Sequence, residues 1–132
     1  MLESILSDLD KQLGISAVKG KDEQEGLFLL KITPNLEVIV KDLKPGVYFQ
    51  SSLGANIEAG TREDFYIYLM KANFLWQGTG GSVIGLHPSE KYLTLSLPIV
   101  YEVNFRMFRE KLEEFLNYLD FWQKEITKFA VL

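Results

Sequence analysis

The sequence predicts an α+β fold in the order α-β-β-β-α-β-β-α, with a twisted antiparallel sheet packed against helices. Two observations lead there. Apolar residues recur every three or four positions near both ends of the chain, as helices burying one stripe require. Between those ends lie short apolar or alternating runs of strand length, joined by compact turns, which read as consecutive antiparallel hairpins.

The first helix is marked by Leu2, Ile5, Leu6, Leu9 and Leu13, with Gly14 where a C-terminal cap belongs. Residues 19–26 (KGKDEQEG) are polar and predict a loop. The runs LFLLKI (27–32), LEVIVK (36–41) and VYFQSSL (47–53) predict a meander, turning at Thr33-Pro34-Asn35 and Lys44-Pro45-Gly46. GANIEAG (54–60) predicts a loop, and Thr61 followed by Asp64 predicts a helix start. The second helix is expected from Arg62 to Trp76, ending at Gly78. Strands at 82–86 and 92–97 form a hairpin through Pro88-Ser89-Glu90-Lys91. The last helix is expected from Glu102 to Lys128, with Phe105, Phe108, Leu112, Phe115, Leu116, Leu119, Trp122 and Ile126 as its stripe. There is no repeat, low-complexity stretch or linker, so residues 1–132 are expected to be a single domain.

Composition narrows the function. With 14 Lys and Arg against 18 Asp and Glu, and no basic run, nucleic acid is not an expected partner unless the fold gathers a local basic face. It has no cysteine, hence no disulfide framework or thiolate chemistry, which suits a reducing cytosol. The N-terminus lacks the basic start and apolar core of a secretory signal, and no apolar run reaches spanning length. A soluble protein not exported by the general route is expected.

The search for chemistry finds little. His87 is the only histidine, with no nucleophile or orienting acid legible beside it, and reads as a surface turn residue. One His and no Cys make no zinc site. Glycines 78, 80, 81 and 85 follow a helix and open a strand, the reverse of a phosphate cradle, and read as a flexible connection. The pairs Asp22-Glu23, Glu63-Asp64 and Glu113-Glu114 are adjacent in sequence and read as solvated faces. No catalytic, cofactor or metal residue is assigned, and the chain is expected not to be an enzyme.

The second helix carries the stronger signal. Phe65, Leu69, Ala72 and Trp76 mark one face, while Tyr66, Ile67, Tyr68, Met70, Asn73 and Phe74 spread apolar or aromatic surface over the rest. A helix apolar nearly all round needs burial on more than one side. A second chain, the terminal helix or a ligand could supply it, and the width of the band favours a second chain. The expected dimer interface is Phe65, Tyr66, Leu69, Met70, Asn73 and Trp76, with Val83 and Ile84 nearby. A symmetric pairing would be isologous.

The order and pattern of these pieces resemble the Tir chaperone (CesT-like) family, the class I chaperones of bacterial type III secretion. The resemblance spans nearly the whole chain. It rests on the Leu-rich helix ending in Leu13-Gly14, the meander, and Leu69-Met70-Lys71-Ala72-Asn73. It continues through a Gly-rich loop into Ile84-Gly85-Leu86, then Leu93-Thr94-Leu95-Ser96-Leu97-Pro98, and closes with Phe108 to Leu116 and Trp122. His87 departs from it, standing where an acidic residue is common in the family. The apolar tail Phe129-Ala130-Val131-Leu132 could pack on the domain or meet a partner.

The resemblance implies a cytoplasmic, bacterial, ATP-independent chaperone without cofactors. It would bind the N-terminal segment of a secreted effector, keep it non-globular and present it for secretion. A homodimer is expected, with a heterodimer with another chaperone possible. The competing reading is a regulator that binds transcription machinery or a second chaperone. A small-molecule-binding domain would need a closed pocket with converging polar groups. For a chaperone, Leu2, Ile5 and Leu9 would line an effector-binding groove, with Leu29, Val38, Val40 and Phe49 on its sheet side. Each of these residues fits equally well as core.

Overall fold

The computed structural model describes residues 2–19, 26–57 and 62–130. Thr61, most of the 19–26 loop, the end of the 54–60 loop and Val131-Leu132 lie outside the described residues. The elements are α1 (Leu2–Leu13), β1 (Ser16–Lys19), β2 (Leu27–Thr33), β3 (Leu36–Asp42), β4 (Val47–Ala55), α2 (Arg62–Asn73), β5 (Val83–Leu86), β6 (Tyr92–Ile99) and α3 (Phe105–Ala130). A single 3-10 turn, Phe74–Trp76, follows α2. The strands form one six-stranded sheet in the order β1-β2-β3-β4-β6-β5, and the fold is α+β with an antiparallel sheet.

The expected order lacks one strand. Ser16–Lys19 pairs antiparallel with β2, from Ser16 opposite Lys31 to Lys19 opposite Phe28. Four residues with little burial leave almost no period to read. Local chemistry also stops α1 and starts α3. Gly14, at φ 68°, donates its N–H to the Asp10 carbonyl at 2.9 Å and closes α1. Asn104 caps α3: its Oδ1 accepts the Met107 N–H at 2.8 Å, so the helix begins at Phe105 and not at Glu102.

The described residues separate into two compact units. The first comprises those within 1–50 and 98–113. Its interior collects Leu2, Ile5, Leu6 and Leu9 from α1, Phe28 and Leu30 from β2, Val38 and Val40 from β3, Val47 and Phe49 from β4, and Phe108 and Leu112 from α3. Phe49 and Phe108 meet edge to face, ring centres 5.3 Å apart. Gly46 is indispensable to this packing. Its φ is 95°, and a Cβ there would lie 1.9 Å from the Ile99 carbonyl oxygen.

The second unit comprises the described residues within 51–97 and 114–132. Phe65 and Leu69 of α2, Ile84, Leu93 and Leu95 of the hairpin, and Phe115, Leu119, Trp122 and Ile126 of α3 fill it. The Phe129 ring lies tilted against both Phe65 and Tyr68, with centroids 4.9 and 5.5 Å away, which places the start of the apolar tail on its own unit.

Candidate functional site

The groove candidates do not come together as one surface. Leu2, Ile5, Leu9, Val38, Val40 and Phe49 are buried, and Leu29 is half-buried. Alternation along β2 puts Leu29 on the face opposite Phe28 and Leu30. Cross-strand register sets it in a row with Val18 and Ile39, both exposed. Of the buried group, Leu2 and Ile5 also line an opening, a cavity of about 420 Å³ shared with Val47 and Val103 and rimmed by Asp42, Lys44 and Glu102. Among the described residues, unit one therefore offers an apolar segment that cavity and the Val18–Leu29–Ile39 row beside edge strand β1.

The interface candidates divide in the same way. Phe65, Leu69 and Ile84 are core residues of unit two. Tyr66 and Asn73 are half-buried, while Met70, Trp76 and Val83 are exposed. Tyr66 donates its hydroxyl to Asn56 Oδ1 at 2.8 Å. Asn73 Nδ2 donates to the Ile84 carbonyl at 2.9 Å, and the Ile84 N–H donates to Asn73 Oδ1 at 2.8 Å. That N–H turns away from β6, so the Asn73 amide acts as a one-residue partner strand on the outer edge of β5.

The exposed apolar set includes residues not assigned to the interface from sequence. Ile67, Phe74, Leu75 and Leu86 join Met70, Trp76 and Val83. The three-and-four spacing of Ile67, Met70 and Phe74 is the sequence signal for this side of α2. Leu75 is legible only in the structure, and Trp76, expected in the interface, leaves the Phe65–Leu69–Ala72 face. Both take left-handed backbone angles (φ 52° and 57°), which end α2 early and turn the triplet outward.

The glycine run is a packed turn, not a flexible connection. A Cβ on Gly80 would sit 2.2 Å from the Tyr118 ring, and one on Gly78 would press on the Ala72 backbone at 3.0 Å. The Gly78 carbonyl accepts the Trp122 indole N–H at 2.9 Å, and the buried Thr79 hydroxyl donates to the Ser82 carbonyl. Tyr68, Ala72, Tyr118, Phe121 and Trp122 line an open, largely apolar hollow of about 600 Å³ here. Burial raises the Tyr68 hydroxyl above the ordinary tyrosine range, helped by the charge of Glu125 and a hydrogen bond to it.

His87 serves its turn. Its ring stacks on Tyr92 at 4.3 Å, and its Nδ1 accepts the Ser89 N–H at 3.1 Å. Among the described residues, no group of three or more His, Cys, Asp or Glu could hold a metal. No helix among them is long and apolar enough to cross a membrane.

Apolar surface of this extent on helix α2 and the corner after it marks an interaction surface. Residues 4–123 match the model of the Tir chaperone protein (CesT) family, and the chain belongs to that family. No curated protein sequence matches significantly. Among solved structures, the fold is similar to the crystal structure of the ExsC–ExsE complex, with TM-score 0.73 and 16% identity over 93% of this chain and 91% of that one. It is also similar to the heterodimeric ExoU–SpcU complex from the type III secretion system of Pseudomonas aeruginosa, with TM-score 0.66 and 13% identity over 98% of each chain.

Proposed function

We propose that this chain is a cytoplasmic, ATP-independent chaperone of type III secretion that works as a dimer and as one domain over residues 1–132. It binds the N-terminal segment of a secreted effector and holds it extended. The observation that carries this reading is the apolar surface left uncovered after each unit has filled its interior: the outward side of α2 with its corner, and the Val18–Leu29–Ile39 row. Family membership agrees with it.

The two surfaces take different tasks. The α2 side, with Met70, Trp76 and Val83, suits a partner copy, and Tyr66 and Asn73 hold its border in shape. The β1 side suits the captive segment. A disordered segment offers backbone hydrogen bonds and scattered apolar side chains, and an edge strand can use both. Asn73 occupies the outer edge of β5 at Ile84, which leaves β1 as the edge for strand addition. A segment lying along β1 would extend the Val18–Leu29–Ile39 row by one apolar residue, with Leu2 and Ile5 offering a second anchor in their cavity.

Affinity capture of the chain from its native cell, with mass spectrometry of what co-purifies, tests the reading. A secreted protein captured through its N-terminus supports it, and the variant Ile39→Asp should lose that partner while remaining folded. Capture of only transcription components, or of a different chaperone in place of a second copy, would overturn the effector or the homodimer part respectively.

A further inference from the structure

We propose that His87 is an acid-sensitive latch on the turn between β5 and β6: its neutral ring holds the turn closed, and its protonated ring releases it.

Two backbone bonds shape this turn. The His87 N–H donates to the Tyr92 carbonyl at 3.0 Å, and the Glu90 N–H donates to the His87 carbonyl at 2.7 Å. The side chain of His87 organises the rest. Its Nδ1 accepts the Ser89 N–H at 3.1 Å and lies 2.9 Å from Ser89 Oγ. Ser89 Oγ in turn accepts the Lys91 N–H at 3.3 Å. A backbone N–H can only donate, so Nδ1 carries no proton and the ring hydrogen sits on Nε2.

Protonation makes both ring nitrogens donors. Ser89 Oγ can keep its contact by accepting from Nδ1 where it donated before. The Ser89 N–H has no such choice, because two donors then face each other, and its bond is lost. Glu90 leaves the turn ready to yield, since its φ of 63° is left-handed and it is not a glycine.

The effect reaches beyond the turn. The Asn56 N–H donates to the Lys91 carbonyl at 2.9 Å, and Asn56 Nδ2 donates to the Glu90 carbonyl at 2.9 Å. Asn56 Oδ1 accepts the Tyr66 hydroxyl of α2 at 2.8 Å. Residues tied to β4 and α2 therefore grip the segment that Nδ1 organises. Strand β5, which presents the exposed Val83 and Leu86, ends at the same turn.

The groups around the ring leave histidine as the trigger. Tyr92 of β6 stacks on it with centroids 4.3 Å apart, Glu90 and Lys91 flank it within the turn, and Tyr66 reaches the turn through Asn56. Of these residue types, histidine is the one that ordinarily changes charge between about pH 5 and 8. The Tyr92 face suits a neutral or a cationic ring, so the imidazole stays in place while Nδ1 changes role.

Amide exchange followed by nuclear magnetic resonance on the full chain tests the latch, each rate being expressed as protection relative to the intrinsic rate at the same pH. Between about pH 7.5 and 5, Ser89 protection should fall roughly tenfold, the scale of one hydrogen bond lost, in step with the His87 ring signals. Leu95, enclosed in the same unit, should keep its protection and so report that the fold is intact. His87→Asp retains a side-chain acceptor for the turn and should hold Ser89 protected across the range. His87→Ala should leave Ser89 unprotected at both ends. Equal Ser89 protection throughout in the unsubstituted chain, an acid loss that persists in His87→Asp, or a protected Ser89 in His87→Ala would each overturn the proposal.

Discussion

Asn73 closes the outer edge of β5 with the two ends of one amide. Asn73→Ala should cost about 1–2 kcal/mol, because it leaves the part-buried backbone N–H and carbonyl of Ile84 without their partner. It should also make the chain more prone to associate through that edge. Thermal melts and light scattering would show both. Phe49 is enclosed and edge-on to Phe108, so Phe49→Ala should cost about 3–5 kcal/mol in a denaturant titration. Tyr68 gives a pH signature. Its folded pKa is raised, so its contribution to stability is complete below the ordinary tyrosine value near 10 and is lost as pH rises through the shifted one. In an ultraviolet titration one tyrosine should ionise late, and Tyr68→Phe should remove that phase.

Elements were legible where periodicity was long. The stripes of α1 and α3 run several turns and name most of the residues the structure buries, though Leu13 is exposed and Phe105 and Leu116 are half-buried. β1 offered four residues and was missed. The pattern carries α2 on to Trp76 because Phe74, Leu75 and Trp76 continue its apolar character, while the turn that stops it depends on backbone angles no residue type announces. The groove set shows a different limit. Alternation reveals that Val38 and Val40 share a face, but not whether that face meets a helix of the same chain or a visitor. Leu29, one residue out of phase with Leu30, lies on the other face. At Gly46 the constraint is backbone against backbone, so Gly46→Ala should prevent stable folding of unit one, seen as loss of soluble expression or a collapsed melting transition.

For the whole molecule, division of labour between surfaces is the main consequence. If α2 is covered by a second copy and the β1 side receives the captive segment, the two functions should separate by substitution. Ile39→Asp should abolish capture and keep the dimer. Met70→Glu should place a charge in a desolvated contact and dissociate the dimer while each chain stays folded, because Met70 contributes little to its own interior. Two bound copies would also present two β1 edges to one long effector segment, raising its effective affinity without new contacts.

The most direct measurement is the molar mass of the purified full chain by light scattering after size exclusion, followed over a dilution series. The account predicts twice the chain mass, falling to a single chain mass for Met70→Glu with unchanged circular dichroism. A single chain mass for the unsubstituted protein at micromolar concentration would contradict it.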